Sequence, residues 1–310
     1  MTKFQYEVII LFVIGFLITD VKIFKITEGE KMNYKIVTDS SANILKSDVV
    51  SLSTVPMKIR VEDIEYVDDE SINISEMTSH LKSIKTKSTT SCPSPDEYIE
   101  AFGDADRIFC TTITSNLSGS YNAAMLAKNV FESENPGKKV FVIDSLSAGP
   151  EITLIIEKLE ELISSGEEYD DICAKITDYC KHTHLYFSLE SLKNFANNGR
   201  VSPAVAKITG ILGIRLVGKA SDVGTLEPTN KPRGEKKAIE VIFENMKNTG
   251  YNGKKVIISH TENEGATNTL KDLILSEFPD ANVKITPNRA LCSFYAEPGG
   301  FLVGFEGSLK

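Results

Sequence analysis

Tyr34-Lys35-Ile36-Val37-Thr38-Asp39-Ser40-Ser41 decides the fold. It reads as a short β-rich run ending in a hydroxyl-rich turn. The same alternation of short β-rich runs and helical patterns continues from Met32 to the C-terminus. That pattern argues for βαβ units and an α/β fold. Strands are expected at Lys35–Thr38, Ser53–Ile59, Arg107–Thr112 and Lys139–Ile143, with helices at Ile74–Ile84, Pro95–Phe102, Gly119–Phe131 and Ile152–Ser164. The polar stretch Ser164-Ser165-Gly166-Glu167-Glu168 divides the chain into two α/β subdomains, residues 32–165 and 166–310. In the second, helices are expected at Tyr169–Lys181, Ser191–Ala196, Pro203–Leu212, Gly234–Asn248 and Glu264–Phe278. Its strands are expected at Leu185–Leu189, Ile214–Lys219, Gly224–Pro228, Lys255–Ser259, Asn282–Thr286 and Phe301–Phe305.

Composition narrows the class. The 310 residues are 41% hydrophobic and 25% charged, close to the globular average, which excludes a disordered, collagenous or polytopic membrane chain. The net charge is −9 and no dense Lys/Arg cluster occurs, so nucleic acid is not an expected partner. The five cysteines, at 92, 110, 173, 180 and 292, include no C-x-x-C pair. They read as reduced cytoplasmic thiols without a metal or disulfide framework.

Residues 1–31 do not fit this picture. Val8 to Thr19 is an apolar run of about a dozen residues, where a spanning helix needs about 20. It reads as a membrane anchor, as an uncleaved signal, or as an upstream segment that is not native protein. Glu28-Gly29-Glu30-Lys31 can be encoded by a purine-rich ribosome-binding site just before Met32. We therefore expect the functional chain to begin at Met32, with membrane association only if residues 1–31 are present.

Three hydroxyl-rich segments follow expected strands, where open α/β sheets bind ligands. They are Thr38-Asp39-Ser40-Ser41, the loop Thr89-Thr90-Ser91-Cys92-Pro93-Ser94-Pro95-Asp96-Glu97, and Thr111-Thr112-Ile113-Thr114-Ser115-Asn116-Leu117-Ser118-Gly119-Ser120-Tyr121. In the second, Ser94, Pro95 and Glu97 form a capping-box pattern. In the third, Ser118 and Gly119 stand at a helix start, where free N–H groups favour an anion. Neutral hydroxyls there suit a carboxylate or phosphate held without a fixed countercharge. The alternative is that these side chains only cap and turn.

Other chemistry is weaker. There is no G-x-x-x-x-G-K-[ST] and no G-x-S-x-G. His182 and His184 read as a solvated pair, His80 as a surface residue and Glu62–Glu70 as a solvated loop or hairpin. His260 ends a strand and is the one base available to Ser118 if the chain were a serine hydrolase or transferase. Lys231 to Lys237 is a short basic stretch suited to a partner surface.

Taken together, the opening segment, Thr90-Ser91-Cys92-Pro93-Ser94-Pro95, Ile113 to Tyr121, Val142-Ile143-Asp144-Ser145, Asn198-Gly199-Arg200-Val201-Ser202 and Lys231 to Lys237 resemble the DegV family. These are bacterial fatty-acid-binding proteins, the lipid-carrying subunits of fatty acid kinase. The resemblance implies two α/β subdomains with an acyl chain in a cleft or tunnel between them. It implies a non-enzymatic cytoplasmic carrier in phospholipid metabolism, with a bound fatty acid and no cofactor or metal. Thr90 or Ser91, Ser118 and the Gly119 backbone would hold the carboxylate. A separate kinase catalytic subunit would phosphorylate it to an acyl-phosphate, and Arg200 would face that partner. Burying a dozen methylenes is worth roughly 10 kcal/mol, enough to retain a sparingly soluble ligand. Two departures stand out. Tyr295 replaces the family's carboxylate-touching His, and a phenol donates a hydrogen bond but carries no positive charge. The family's Lys-Pro is replaced by Ile214-Arg215-Leu216-Val217. Both leave open a relative that binds another lipid or works without phosphotransfer.

Overall fold

The opening strand, β1 (Tyr34–Asp39), lies inside a four-stranded sheet of order β2-β1-β6-β7 in the computed structural model. The structure describes residues 32–206 and 213–310. The apolar run before Met32 and the expected end of the Pro203–Leu212 helix lie outside them. β2 (Leu52–Val55), β6 (Arg107–Thr112) and β7 (Lys139–Asp144) join β1 in parallel pairs throughout. A parallel sheet covered on both faces buries its central strands continuously. Ile36 and Val37 on β1, and Ile108, Phe109 and Cys110 on β6, are accordingly fully buried. Helices α2 (Pro95–Phe102) and α3 (Ser120–Glu134) cover one face, packing Phe102, Ala124 and Phe131 on Val37 and Ile108. Helices α4 (Pro150–Ser164) and α5 (Tyr169–Tyr179) cover the other, packing Ile152, Ile156 and Ile172 on Ile36 and Phe109.

The expected strand Ser53–Ile59 is two strands. Proline lacks the N–H a ladder needs, and at Pro56 the chain leaves the parallel sheet. β3 (Lys58–Val61) then forms an antiparallel hairpin with β4 (Ile64–Val67) and pairs on its other edge with β5 (Thr89–Ser91). Thr90 and Ser91, expected in a loop, are therefore fixed by a backbone ladder. Helix α1 (Ile74–Ser83) and a late helix not anticipated from sequence, α10 (Ala290–Ala296), bury Met77 and Phe294 against Ile59 and Val61. The acidic run is the hairpin, but it is not wholly solvated. Asp68 is fully buried and accepts hydrogen bonds from Ala290 N (3.2 Å) and Leu291 N (2.9 Å). His80 is half-buried too, its Nδ1 3.0 Å from Tyr66 Oη.

The second sheet has order β10-β9-β8-β13-β11-β12, built from β8 (Thr183–Leu189), β9 (Leu216–Ala220), β10 (Leu226–Asn230), β11 (Val256–His260), β12 (Val283–Pro287) and β13 (Phe301–Glu306). Only β11–β12 is parallel. A helical segment α6 (Lys193–Asn197) and a turn α7 (Pro203–Ala206) follow β8. Helices α8 (Glu235–Asn248) and α9 (Glu264–Glu277) seal one face with Ile242, Phe243 and Leu270. α4 reaches the other face. A Cβ at Gly304 of β13 would fall 2.5 Å from Glu151 N, so only glycine admits the helix there. Glu151 is fully buried and accepts from Thr183 Oγ1 (2.8 Å) and Lys310 Nζ (2.8 Å). One helix is thus shared by both sheets. His184 is not solvated as expected: its Nε2 lies 2.8 Å from Ser308 O and its ring stacks on Phe305. Burial lowers its pKa. Among the described residues no helix is long and apolar enough to cross a membrane.

Candidate functional site

A cavity of about 280 Å³ lies where the loops of the parallel sheet meet the open face of the six-stranded sheet. Its polar lining includes Thr90, Ser91, Ser118, Gly119, Tyr295 and Arg200, together with Thr114, Ser147, Lys219 and Thr225. Its remaining wall is largely apolar, with Leu185, Phe187 and Leu189 of β8 and Leu302 of β13 prominent. Strand alternation explains that wall, because residues two apart share a face. The intervening Tyr186 turns instead into the core beneath α8.

Each polar group has a local cause. The capping box forms as expected: Ser94 Oγ accepts from Glu97 N (3.3 Å) and Glu97 Oε2 accepts from Ser94 N (2.7 Å). It starts α2 directly after β5 and fixes where Thr90 and Ser91 stand. Gly119 is the N-cap of α3 and receives no side-chain cap. A Cβ there would come 3.0 Å from Cys92 Sγ. Ser118 Oγ accepts from Ser120 N at 3.3 Å. Tyr295 Oη lies 2.8 Å from Thr90 Oγ1. Burial raises the Tyr295 pKa against the opposing pull of the Thr90 bond and the Arg200 guanidinium. Its phenol therefore stays protonated at neutral pH and keeps a proton to donate.

Arg200 changes the electrostatics expected of the site. Gly199, at φ +72°, turns the chain after α6 in the left-handed conformation that ends many helices. Arg200 then folds back onto the cavity, its Nε donating to Leu117 O (3.0 Å) and its Nη1 to Asn198 O. The site is not a purely neutral cradle, since a guanidinium stands at its edge beside Tyr295.

Of the three hydroxyl segments, the first does not line the cavity. Asp39 is fully buried and accepts from Ser41 N (3.1 Å) and Ile113 N (2.9 Å), while Ser40 Oγ accepts from Met57 N (3.0 Å). Asp39 thus holds the third segment in place and Ser40 holds the turn before β3, rather than a ligand. None of the four histidines lines the cavity. His260 Nδ1 accepts from Asn263 N (3.2 Å), and His260 does not line the cavity that Ser118 lines. Asn198 is a residue whose role was not legible in sequence. Its Oδ1 accepts from Thr90 N (3.3 Å) and its Nδ2 donates to Ser88 O (3.1 Å), clamping β5 to the end of α6. An Asn-Gly pair signals a helix end, but nothing local announces a contact spanning 108 residues. Phe195 and Phe294, whose ring centroids lie 4.6 and 4.9 Å from that of Tyr295, hold its phenol in place.

This combination, an α/β scaffold enclosing an apolar cavity with a hydroxyl cluster at its edge, is that of a lipid-binding fold. A family model described as "Uncharacterised protein, DegV family" matches residues 33–306, and the chain belongs to that family. A DegV domain-containing protein of Streptococcus pneumoniae is 41% identical over 279 residues, covering 89% of this chain and 99% of that one. The crystal structure of the Streptococcus pneumoniae fatty acid kinase (Fak) B3 protein loaded with linoleic acid is similar at TM-score 0.88 and 40% identity, over 89% of this chain and 100% of that one. A DegV family protein of Eubacterium eligens loaded with heptadecanoic acid is similar at TM-score 0.87 and 39% identity, with the same coverage.

Proposed function

We propose that the protein is a fatty-acid carrier. The carboxylate sits among Thr90, Ser91, Ser118, Tyr295 and the Gly119 N–H, and the acyl chain lies along the apolar wall of β8 and β13. The observation that carries this is the lining itself, one hydroxyl cluster joined to a large apolar surface, as amphiphile sites require. The fatty acids in the two related structures support the same ligand class. The walls belong to subdomains 32–165 and 166–310, with residues 1–31 an extension outside them. A separate kinase catalytic subunit phosphorylates the bound carboxylate, and the Arg200 edge faces that partner. The relative that is a fatty acid kinase B protein supports this coupling. None of the four histidines lines the cavity, so among the described residues Ser118 has no imidazole base beside it there.

Native mass spectrometry of the purified protein tests the carrier reading. The expected result is an added mass equal to one fatty acid, lost on delipidation and restored by linoleic acid. An empty protein that turns over an activated ester would replace this reading with the hydrolase. Mixing the loaded protein with a fatty acid kinase catalytic subunit and ATP tests the coupling, with acyl-phosphate trapped as a hydroxamate as the expected product.

A further inference from the structure

The floor of the cavity has an uneven row across three strands. Phe187 of β8 is in register with Leu302 of β13 on one side and with Gly218 of β9 on the other. Its ring is buried, with 5% of its surface exposed. With no side chain opposite, the ring lies down over the glycine. A Cβ at Gly218 would clash with Phe187 Cζ and fall 2.6 Å from Cε2. The ring therefore occupies the space a side chain at 218 would take, and any such side chain must lift it off the sheet into the cavity.

We propose that Phe187, seated on Gly218, sets the length of acyl chain the cavity accepts. This rests on the reading of the cavity as a fatty-acid site and goes beyond it by naming the residue pair that limits the tail. The hydroxyl cluster at Thr90 and Tyr295 belongs to β5 and α10, whereas Phe187 is surrounded by Leu185, Leu189 and Leu302. The floor thus faces the hydrocarbon part of an amphiphile rather than its carboxylate. Each methylene that gains or loses cover changes Kd about fourfold. A ring lying flat or lifted changes cover for a few methylenes at once.

The test is a competition series of saturated fatty acids from decanoic to eicosanoic, on wild type, Phe187→Ala, Gly218→Ala and the double variant. Phe187→Ala is expected to favour longer chains, shifting the eicosanoic-to-palmitic Kd ratio on the order of tenfold. Gly218→Ala is expected to shift the preference towards shorter chains, and this shift is expected to vanish in the Phe187→Ala background. A Gly218 effect that survives without the ring would assign it to Glu227 O, which also falls 2.6 Å from the added Cβ, and would overturn the proposal. Should Gly218→Ala not fold, Phe187→Trp crowds the same space, and its profile must move towards shorter chains. Wild type that binds these acids with a profile unmoved by Phe187→Ala overturns this inference alone. Wild type that binds none of them overturns the carrier reading itself.

Discussion

Thr90 Oγ1 and Tyr295 Oη meet at 2.8 Å although 205 residues separate them in the chain. One stands on β5 of the small antiparallel sheet and the other on α10, so the contact joins the early and late parts of the sequence at the cavity edge. Tyr295→Phe removes the hydroxyl and keeps the ring between Phe195 and Phe294. A single hydrogen bond is worth about 1 kcal/mol, so linoleic acid should bind roughly fivefold more weakly. Calorimetric titration of the delipidated variant checks this, and unchanged affinity would remove Tyr295 from the site.

Asn198→Ala should act on the same site without touching the ligand. It deletes the acceptor of Thr90 N and the donor to Ser88 O, which together cost about 1–3 kcal/mol. The expected outcome is faster amide exchange at Thr90 and quicker loss of bound fatty acid. The core strands β1 and β6 should keep their protection.

Asp68→Ala should be far more damaging. Its carboxylate accepts from the first N–H groups of α10 and pairs with Arg289 Nη2 at 3.1 Å, all with Asp68 fully buried. Removing one member of a buried pair costs about 3–5 kcal/mol. Urea unfolding should show a lower midpoint. Ligand retention should fall with it, because α10 carries Tyr295 and Leu291 into the cavity lining.

The attachment of α4 to the second sheet should depend on pH. Burial alone would raise the Glu157 pKa, but Lys255 and Lys284 (3.0 Å), both bonded to its carboxylate, hold it below its ordinary value of 4.5. A carboxyl whose pKa is depressed by folding stabilises above the unfolded value and loses that contribution as pH falls through the folded value. Glu157→Gln should therefore be less stable than wild type at pH 7, by about 1 kcal/mol. The gap should close as the pH is lowered below about 4.5. Paired melting curves at several pH values check it, and a gap that stays constant on acidification would count against the assignment.

Local chemistry announced much of this structure. Pro95, Ser94 and Glu97 specify the start of α2, and the apolar runs of β1 and β6 declare a covered parallel sheet. What escaped was tertiary in origin. Thr89–Ser91 is too short and too polar to read as a strand until β3 lies beside it. Ala290–Ala296 is a short helix whose start is held by Asp68, 222 residues earlier for Ala290. Two of the three hydroxyl segments at strand ends reach the cavity, whereas Tyr295, on α10, carries no such local signal. The clamp by Asn198, the guanidinium at the edge and the inward turn of Asp39 depend on which loops meet, and no spacing along the chain encodes that.

Helix α4 has a consequence for how this protein can be divided. Its apolar side is the core of the parallel sheet, while its N-terminal turn closes on Gly304 and holds Lys310 through Glu151. A cut in the turn between α4 and α5 would leave one fragment with a helix missing a partner and the other with an uncovered strand. Neither half is a module that a recombining genome could borrow, and damage to one should melt both in a single transition. The lipid cavity is inherited whole or not at all.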